Sequence, residues 1–279
     1  MKTLTIGLLI LVMMSGQLNA DENAIPNKIT LNLDSMSEVS VKGFIAPIEF
    51  TVDNFHLNWD TLANLKVAEP EKRYAASVFH AFLPHQPVSV GELWQVKPEG
   101  VLELLKQLHP NPYVEMHSPV DSSGLWATLR AYNDLFAEIV FRIHAEFALE
   151  DGWFTPSQFA GRLVINRAEA KVAFFEMSVP EGTLNFDVNR QHKNSSSYGT
   201  DAGFCPQIGL LAGTEAITSD TQFTEAITQE EAERRLIHRF YKSEQIEWVA
   251  MDKALEIAKS LQRPIHVVSI NGPLTDEAC

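Results

Sequence analysis

Apolar and polar residues alternate most regularly between Glu138 and Leu149, and this alternation predicts a β-strand. One face of the predicted strand is apolar and carries Ile139, Phe141, Ile143, Ala145 and Phe147. The opposite face carries Val140, Arg142, His144 and Glu146. We interpret this second face as a salt-bridged or hydrogen-bonded polar surface.

Shorter alternating segments predict further strands on both sides of this one. They are residues 38–42, 47–53, 161–166, 171–180 and 183–189. We expect the first two to pair with each other and the next two to form a hairpin that turns through 166–170. The polar stretch Gln191–Gly203, with three consecutive serines, predicts a surface loop. Several β segments in succession indicate an α+β fold with a mostly antiparallel sheet.

Helical spacing of apolar residues predicts three helices. Pro98–Leu108 begins with a proline suited to a first turn and is followed by Pro110 and Pro112. Thr228 and Glu231 have the spacing of a capping box, with Ala232, Leu236, Ile237 and Phe240 on the buried side of the helix. We interpret the charged run Glu230–Arg235 as its solvated side.

The third helix, 252–262, lies between two predicted strands, 246–251 and 264–270. Asp252 is the predicted N-cap, and Ala254, Leu255, Ala258 and Leu261 are predicted to face inward. Ile265–Ile270 is β-branched and apolar, as in a buried parallel strand. This β-α-β order is that of the first half of a thioredoxin-like domain. Cys279 then stands where the redox pair of such a domain begins.

The overall charge changes the range of partners to expect. The 36 acidic and 22 basic residues give a net charge of −14, which argues against nucleic acid as a partner. The apolar fraction of 45% predicts a packed globular core.

Residues 1–20 have the pattern of a secretory signal peptide. Lys2 is followed by the apolar stretch Leu4–Met14 and by a small-residue cleavage site, Leu18–Ala20, before Asp21. We therefore expect export to the periplasm or outside the cell in a bacterium, or to the endoplasmic reticulum lumen in a eukaryote. No transmembrane helix is expected in the mature chain.

The cysteines and histidines give little support to a disulfide scaffold or to a metal site. The two cysteines, Cys205 and Cys279, are too few for a disulfide scaffold. We interpret Cys205 as a small buried residue. The alternative is that it pairs with Cys279. His144 and Glu146 have the spacing that opens a zinc deaminase motif, but no Pro-Cys-x-x-Cys segment follows. Four histidines near prolines lack ligand spacing: His80, His85, His109 and His117. The sequence therefore predicts no metal site and no cofactor.

Several blocks of the chain, in a constant order, resemble the selenoprotein N family. The main blocks are Val140–Leu149, Trp153–Gly161, Val179–Asp187, Pro206–Gln207, Glu230–Leu236, Ala254–Lys259 and Asp276–Cys279. Phe79–Pro84 and Leu108–Pro112 also fit. The family's redox site reads Ser-Cys-Sec-Gly, and Ala278-Cys279 matches its first half, with alanine in place of serine.

The resemblance implies an exported thiol/selenol–disulfide redox protein that acts on a protein thiol or disulfide. It implies an α+β domain over 21–219 and an incomplete thioredoxin-like domain over 228–279. Cys279 is the implied catalytic residue and would resolve a mixed selenosulfide formed by an adjacent selenocysteine. We expect a UGA codon to follow the Cys279 codon, and little reductase activity from the chain as given. Two alternatives stay open, a non-catalytic binding module and a metal-binding exported protein.

Overall fold

The computed structural model describes residues 27–114, 124–192, 196–214, 222–240 and 249–267. Several predictions fall outside these ranges. They are the signal peptide over 1–20, His117, the strand over 246–248, the end of the last strand over 268–270, and Cys279.

The larger of two antiparallel sheets contains nine strands among the described residues. They are β1 (Glu38–Ile45), β3 (Glu71–Ala75), β4 (Leu93–Gln95), β6 (Leu125–Tyr132), β7 (Phe136–Ile143), β10 (Phe159–Asn166), β11 (Lys171–Ser178), β14 (Ile208–Gly213) and β15 (Glu225–Ala226). Their order is β15-β6-β7-β10-β11-β14-β1-β3, and β4 also pairs with β6. The predicted hairpin is confirmed as β10 and β11, which pair from Ala160 with Ser178 to Asn166 with Lys171.

The smaller sheet has the order β2-β13-β12-β9-β8-β5 among the described strands. These are β2 (Phe50–Thr51), β5 (Pro112–Tyr113), β8 (Glu146–Leu149), β9 (Gly152–Pro156), β12 (Phe186–Gln191) and β13 (Tyr198–Phe204). Two antiparallel sheets with short helices outside them are compatible with the predicted α+β class.

The described helices are short and lie outside the sheets. They are α1 (Phe55–Asn58), α2 (Asp60–Ala63), a 3₁₀ helix (Ala76–Phe82), α3 (Pro98–Leu108), α4 (Gln229–Phe240) and α5 (Met251–Leu261). Helix α3 has the predicted bounds, and most of its apolar stripe is fully buried. None of the described helices is long and apolar enough to cross a bilayer.

Aromatic side chains make up the centre of the core, against the large sheet. Phe82 of the 3₁₀ helix lies 4.4 Å from Phe141 of β7, measured between ring centroids. Phe79 meets Phe175 of β11 edge to face at 5.0 Å. Such pairs add about 0.5–1.5 kcal/mol each beyond the burial of their area.

Two predictions about strands in the two sheets were wrong. Segments 38–42 and 47–53 do not pair with each other, because β1 pairs with β14 and β3 whereas β2 pairs with β13 in the other sheet. The predicted loop Gln191–Gly203 contains most of β13. Only Tyr198 and Thr200 of this polar strand are exposed, and backbone pairing with β12 and β2 holds it in the sheet.

The two C-terminal helices pack differently from each other, and only α4 buries residues that were predicted to face inward. Ala232 and Leu236 of α4 are buried against Val140 of β7, so this helix covers the large sheet. Helix α5 has no buried residue, and Leu255 and Leu261, predicted to face inward, are 58% and 56% exposed. The division of the chain into units at 219–228 stays a prediction.

The predicted ends of α5 also need correction. Ala250, not Asp252, occupies the N-cap position, and Asp252 lies in the first turn. The helix ends at Leu261 with Gln262 in the left-handed conformation, before Pro264 is reached. Residues 265–267 do not form a strand.

Candidate functional site

Five short connections carry the chain directly from one sheet to the other. They are residues 46–49, 144–145, 157–158, 179–185 and 205–207, and we call them together the seam. The strand predicted over 138–149 is divided by one of them. Its first part is β7 of the large sheet, and after His144 and Ala145 it continues as β8 of the small sheet.

Hydrogen bonds between neighbouring connections place them side by side. The Ala46 amide donates to the Gln207 carbonyl at 2.8 Å, and the Ser157 amide donates to the Asn185 carbonyl at 2.8 Å. Asn185 Nδ2 donates to the Cys205 carbonyl at 2.8 Å, and the Cys205 amide donates to Asn185 Oδ1 at 2.9 Å. These bonds link the connections 46–49, 157–158, 179–185 and 205–207 in one line between the sheets.

Four blocks that carry the family resemblance meet at the seam. Val140–Leu149, Trp153–Gly161 and Val179–Asp187 each contain one complete connection, and Pro206–Gln207 lies in another. Segments that are far apart in the sequence therefore lie together in the fold. This convergence makes the seam the candidate functional site among the described residues.

A cleft of about 220 Å³ opens on the seam beside helix α4. Arg142, Ser157 and Asn185 contribute buried polar groups to its lining, while Glu181 and Glu233 contribute carboxylates. The remaining lining residues are small or apolar: Ala160, Pro180, Gly182, Leu184 and Ile237. The cleft thus lies between the connection 179–185, the ends of β7 and β10, and α4.

Arg142 lies in the lining of the cleft with only 4% of its surface exposed. Its Nε donates to Oε1 of the buried Gln158 at 3.1 Å, and this bond fixes one edge of the guanidinium plane. The remaining lining groups therefore surround an arginine whose orientation is set by a buried amide.

His144 and Glu146 confirm the predicted polar face and show that it is covered. His144 Nε2 and Glu146 Oε1 are 3.4 Å apart, and both side chains are largely buried. The His144 ring stacks on Phe240 of α4, with 5.6 Å between ring centroids. The sequence pattern could not show that α4 covers this face.

Asp187 follows the seam on β12 and has an unusual environment. Its Oδ2 accepts a hydrogen bond from Asn189 Nδ2 at 3.2 Å, whereas its buried Oδ1 has no partner in the described structure. Burial raises the pKa of Asp187 to about 6, and the negative charge of Glu146 contributes in the same direction.

Cys205 is buried in the seam, as predicted. Its Sγ donates to the Ala46 carbonyl at 3.2 Å, and burial raises the pKa of the thiol. A thiol that is hard to ionise and shielded from solvent is a poor nucleophile, so Cys205 is structural. Cys279, the predicted catalytic residue, lies outside the described residues.

Two of the histidines considered as metal ligands, His80 and His109, have separate protein contacts, whereas His117 lies outside the described residues. His80 Nε2 contacts the Leu33 carbonyl at 3.1 Å, whereas His109 packs against Phe147, and burial lowers its pKa. Across the described ranges, no group of three or more histidine, cysteine, aspartate or glutamate side chains is arranged to hold a metal ion.

Comparison with curated proteins matches most of this chain to selenoprotein N from three vertebrates. The chain is 29% identical to the protein of Danio rerio over 264 residues, which covers 74% of this chain and 47% of the relative. It is 25% identical to the protein of Homo sapiens over 279 residues and 24% identical to that of Mus musculus over 306 residues. These matches cover 80% and 89% of this chain, and 46% and 53% of the relatives. The chain is thus similar to selenoprotein N over most of its length.

The chain spans about half the length of the curated relatives it matches. No family model matches it, and no solved structure matches it. The resemblance blocks gave the signal that could have located the seam. Sequence reasoning nevertheless missed Glu233, because its place in a charged run indicated only solvation, and it assigned no role to Ser157 or Asn185.

Proposed function

We propose that this selenoprotein N-like chain is an exported thiol/selenol–disulfide redox protein in which Cys279 is one member of the redox pair. The observation that carries the proposal is the similarity to selenoprotein N over 74–89% of the chain. The position of Ala278-Cys279, in the order of the family's redox site, supports the assignment of the residue.

The proposed reaction is a two-electron thiol–disulfide exchange. A selenolate next to Cys279 attacks one sulfur of a partner's disulfide, and the other sulfur leaves as a thiolate that takes up a proton. The Cys279 thiolate then attacks the selenium and releases the second partner thiol. The protein is left with a selenium–sulfur bond, which an external dithiol must reduce before the next cycle.

The proposed domain for this chemistry is thioredoxin-like and covers 228–279. In such a domain, a helix that begins at the redox pair lowers the pKa of the attacking group through its unpaired amides. Helix α5 is followed, after Pro264, by an apolar segment, and a helix followed by an apolar segment is the order expected in the first half of such a domain. This order supports the proposal.

The nucleotide sequence after the Cys279 codon tests the proposal directly. We expect a UGA codon, an open frame that encodes glycine next, and a downstream insertion stem-loop. A UAA or UAG codon at this position would refute the selenocysteine pair.

A disulfide-reduction assay provides the functional test. A version extended through the second residue of the redox pair should reduce a disulfide-bonded protein in the presence of a dithiol. The same version with Cys279→Ser should accumulate the mixed selenosulfide between the selenocysteine and the partner. Equal turnover with and without Cys279 would exclude its resolving role.

N-terminal sequencing of the exported protein should begin at Asp21 if residues 1–20 are removed.

The seam cleft favours a second candidate function, that of a binding module. Buried polar groups around a small cleft are typical of ligand sites, whether or not redox chemistry occurs elsewhere in the protein. If a ligand of the cleft binds the Cys279→Ser protein with unchanged affinity, the binding function is separate from the redox function.

A further inference from the structure

We propose that the seam cleft binds a primary alkylammonium group. This inference names the ligand of the binding function proposed above and rests on that function. The ammonium is held by three groups of the lining, the carboxylates of Glu181 and Glu233 and the hydroxyl of Ser157. Nothing in the proposed redox cycle uses these residues.

The hydroxyl of Ser157 is the first observation that points to a ligand. Ser157 lines the cleft and is only 4% exposed. Its amide donates to the Asn185 carbonyl, whereas its hydroxyl has no hydrogen-bond partner among the described residues. Because buried polar side chains are normally hydrogen-bonded, an unpaired hydroxyl in the wall of a cleft indicates a site for a polar ligand.

The charges in the lining select a cation. The two carboxylates share the lining with one guanidinium, that of Arg142, so the lining keeps a net negative charge. Arg142 is already engaged by Gln158 and by a further interaction. The groups that remain for a ligand are therefore hydrogen-bond acceptors, and they favour a positively charged donor over an anion.

An ammonium matches these acceptors better than a guanidinium does. Gln229 Nε2 donates to Glu233 Oε1 at 2.7 Å and orients that carboxylate, so a ligand meets the other oxygen, Oε2. A guanidinium binds best to both oxygens of one carboxylate, whereas an ammonium is a compact charge with three donors and no acceptor. One donor is thus available for each of Glu181, Glu233 and Ser157.

The size and the wall of the cleft define the rest of the ligand. The volume of about 220 Å³ is below the roughly 300–1,000 Å³ of pockets for drug-sized ligands, so the ligand is small. An aliphatic wall, against which an alkyl chain can pack, is formed by Ala160, Pro180, Leu184 and Ile237. n-Butylamine is therefore the probe to use, since an alkylamine is protonated at neutral pH.

Isothermal titration of the purified full chain at neutral pH tests the proposal with four probes that share the butyl chain. These are n-butylamine, butan-1-ol, butyrate and butyltrimethylammonium. We expect n-butylamine to bind at least about tenfold more tightly than each of the others. The alcohol lacks the charge, butyrate is repelled by the two carboxylates, and the trimethyl compound has no N–H donor.

A fifth probe distinguishes the two sources of an alkylammonium group. Nα-Acetyl-lysine methylamide carries the group on a peptide backbone. An affinity similar to that of n-butylamine assigns the site to a lysine side chain of a partner protein. An affinity at least about tenfold lower assigns it to a free amine, and either result supports an alkylammonium ligand.

Ser157→Ala should weaken n-butylamine binding about three- to tenfold. The fold should be unaffected, because the hydroxyl has no partner to lose among the described residues. Ser89→Ala is the matched control. It also removes a buried hydroxyl without a partner, but Ser89 is not in the lining of the cleft, so binding should not change.

Glu233→Gln should weaken n-butylamine binding about five- to tenfold and leave butan-1-ol binding unchanged. The substitution keeps an oxygen that can accept from Gln229. Glu230→Gln on the same helix is the matched control, because Glu230 is exposed and lies outside the lining.

The proposal is overturned if n-butylamine gives no binding heat, or if each variant behaves like its control. Binding of butan-1-ol, butyrate or butyltrimethylammonium as tight as that of n-butylamine would keep the cleft as a ligand site but overturn the alkylammonium ligand. The redox function does not depend on either outcome, since the disulfide-reduction assay tests it separately.

Discussion

Asp187 is a carboxyl group held inside the protein with one oxygen unpartnered. Its pKa rises from the ordinary 3.8 to about 6, chiefly because burial disfavours the charged form. Between these two pH values the folded state binds more protons than the unfolded state, so the free energy of unfolding falls as pH rises. The stabilisation from protonated Asp187 is thus fully present below about pH 4 and is lost as pH rises through about 6.

Asp187→Asn should therefore stabilise the protein at neutral pH, since asparagine mimics the protonated form and keeps an oxygen for Asn189 Nδ2. We expect a gain of up to about 3 kcal/mol near pH 7.5 that disappears near pH 4, measured by denaturant unfolding at both pH values. Asp201→Asn is the matched control. The Asp201 carboxylate accepts from the amides of Asp53 and Phe55 at 2.9 and 3.1 Å, so its loss should destabilise. Destabilisation of both variants at neutral pH would contradict this interpretation of Asp187.

Cys205 should resist alkylation in the folded protein. Its thiol is buried, donates to Ala46, and has a raised pKa, so the thiolate fraction accessible to reagent is very small. We expect iodoacetamide to label Cys205 no faster than the protein unfolds, as measured by peptide mass spectrometry, and to label it fully in denaturant. Rapid native labelling, or a Cys205–Cys279 disulfide in the folded protein, would contradict the structural role.

At the scale of secondary-structure elements, Gly161 marks a place where two strands leave no room for a side chain. A Cβ at this position would clash with the Phe141 ring and the Glu176 carbonyl on the neighbouring strands β7 and β11. The Glu176 carbonyl belongs to the backbone and cannot move aside easily. The glycine is therefore required for close packing at the centre of the large sheet.

Gly161→Ala should destabilise the protein by about 3 kcal/mol, because overpacking forces the strands apart. Gly199→Ala on β13 is the control. There the added Cβ would lie 3.1 Å from its nearest neighbour, Cζ of Phe55, and this side-chain ring can shift, so the cost should stay below about 1 kcal/mol. Denaturant midpoints of the two variants provide the comparison. Similar midpoints would show that the sheet relaxes around Gly161.

Elements with complete local signals were predictable from the sequence. Helix α3 has an apolar stripe bounded by prolines, and the β10–β11 hairpin has two alternating segments around a polar turn. The capping box predicted between Thr228 and Glu231 is formed only in part. Its Oγ1 accepts from the Glu231 amide at 3.1 Å, but the Glu231 carboxylate pairs with Arg234 and Arg235 rather than closing the capping box.

Pairing between distant segments could not be predicted in the same way. Strand β1 lies beside β14 because both cross from the seam into the large sheet, and nothing in the alternation of 38–42 specifies that partner. The candidate site could not be predicted for the same reason. Arg142 belonged to a predicted polar face, but its cleft exists only because α4 and the connection 179–185 close over it.

At the scale of the whole molecule, the seam joins the two sheets into one structural unit. Each short connection passes directly from a strand of one sheet to a strand of the other, and hydrogen bonds link four of the five connections to one another. Helix α4 packs on this unit, since Ala232 and Leu236 are buried on the large sheet and Arg235 Nη1 donates to the Gly91 carbonyl at 3.0 Å. Helix α5 makes no comparable contact among the described residues, since none of its residues is buried.

Limited digestion with trypsin should therefore cut α5 before α4. Lys253, Lys259 and Arg263 lie on or beside a helix without buried residues, whereas cleavage at Arg235 requires α4 to leave the sheet. We expect an early fragment that retains α4, identified by intact mass, and later products from global unfolding. Leu236→Ala, which removes a buried contact of about 2–5 kcal/mol, should expose the α4 sites and make the two sets of cuts appear together. Early cleavage within α4 of the unmodified protein would show that this helix is not part of the two-sheet unit.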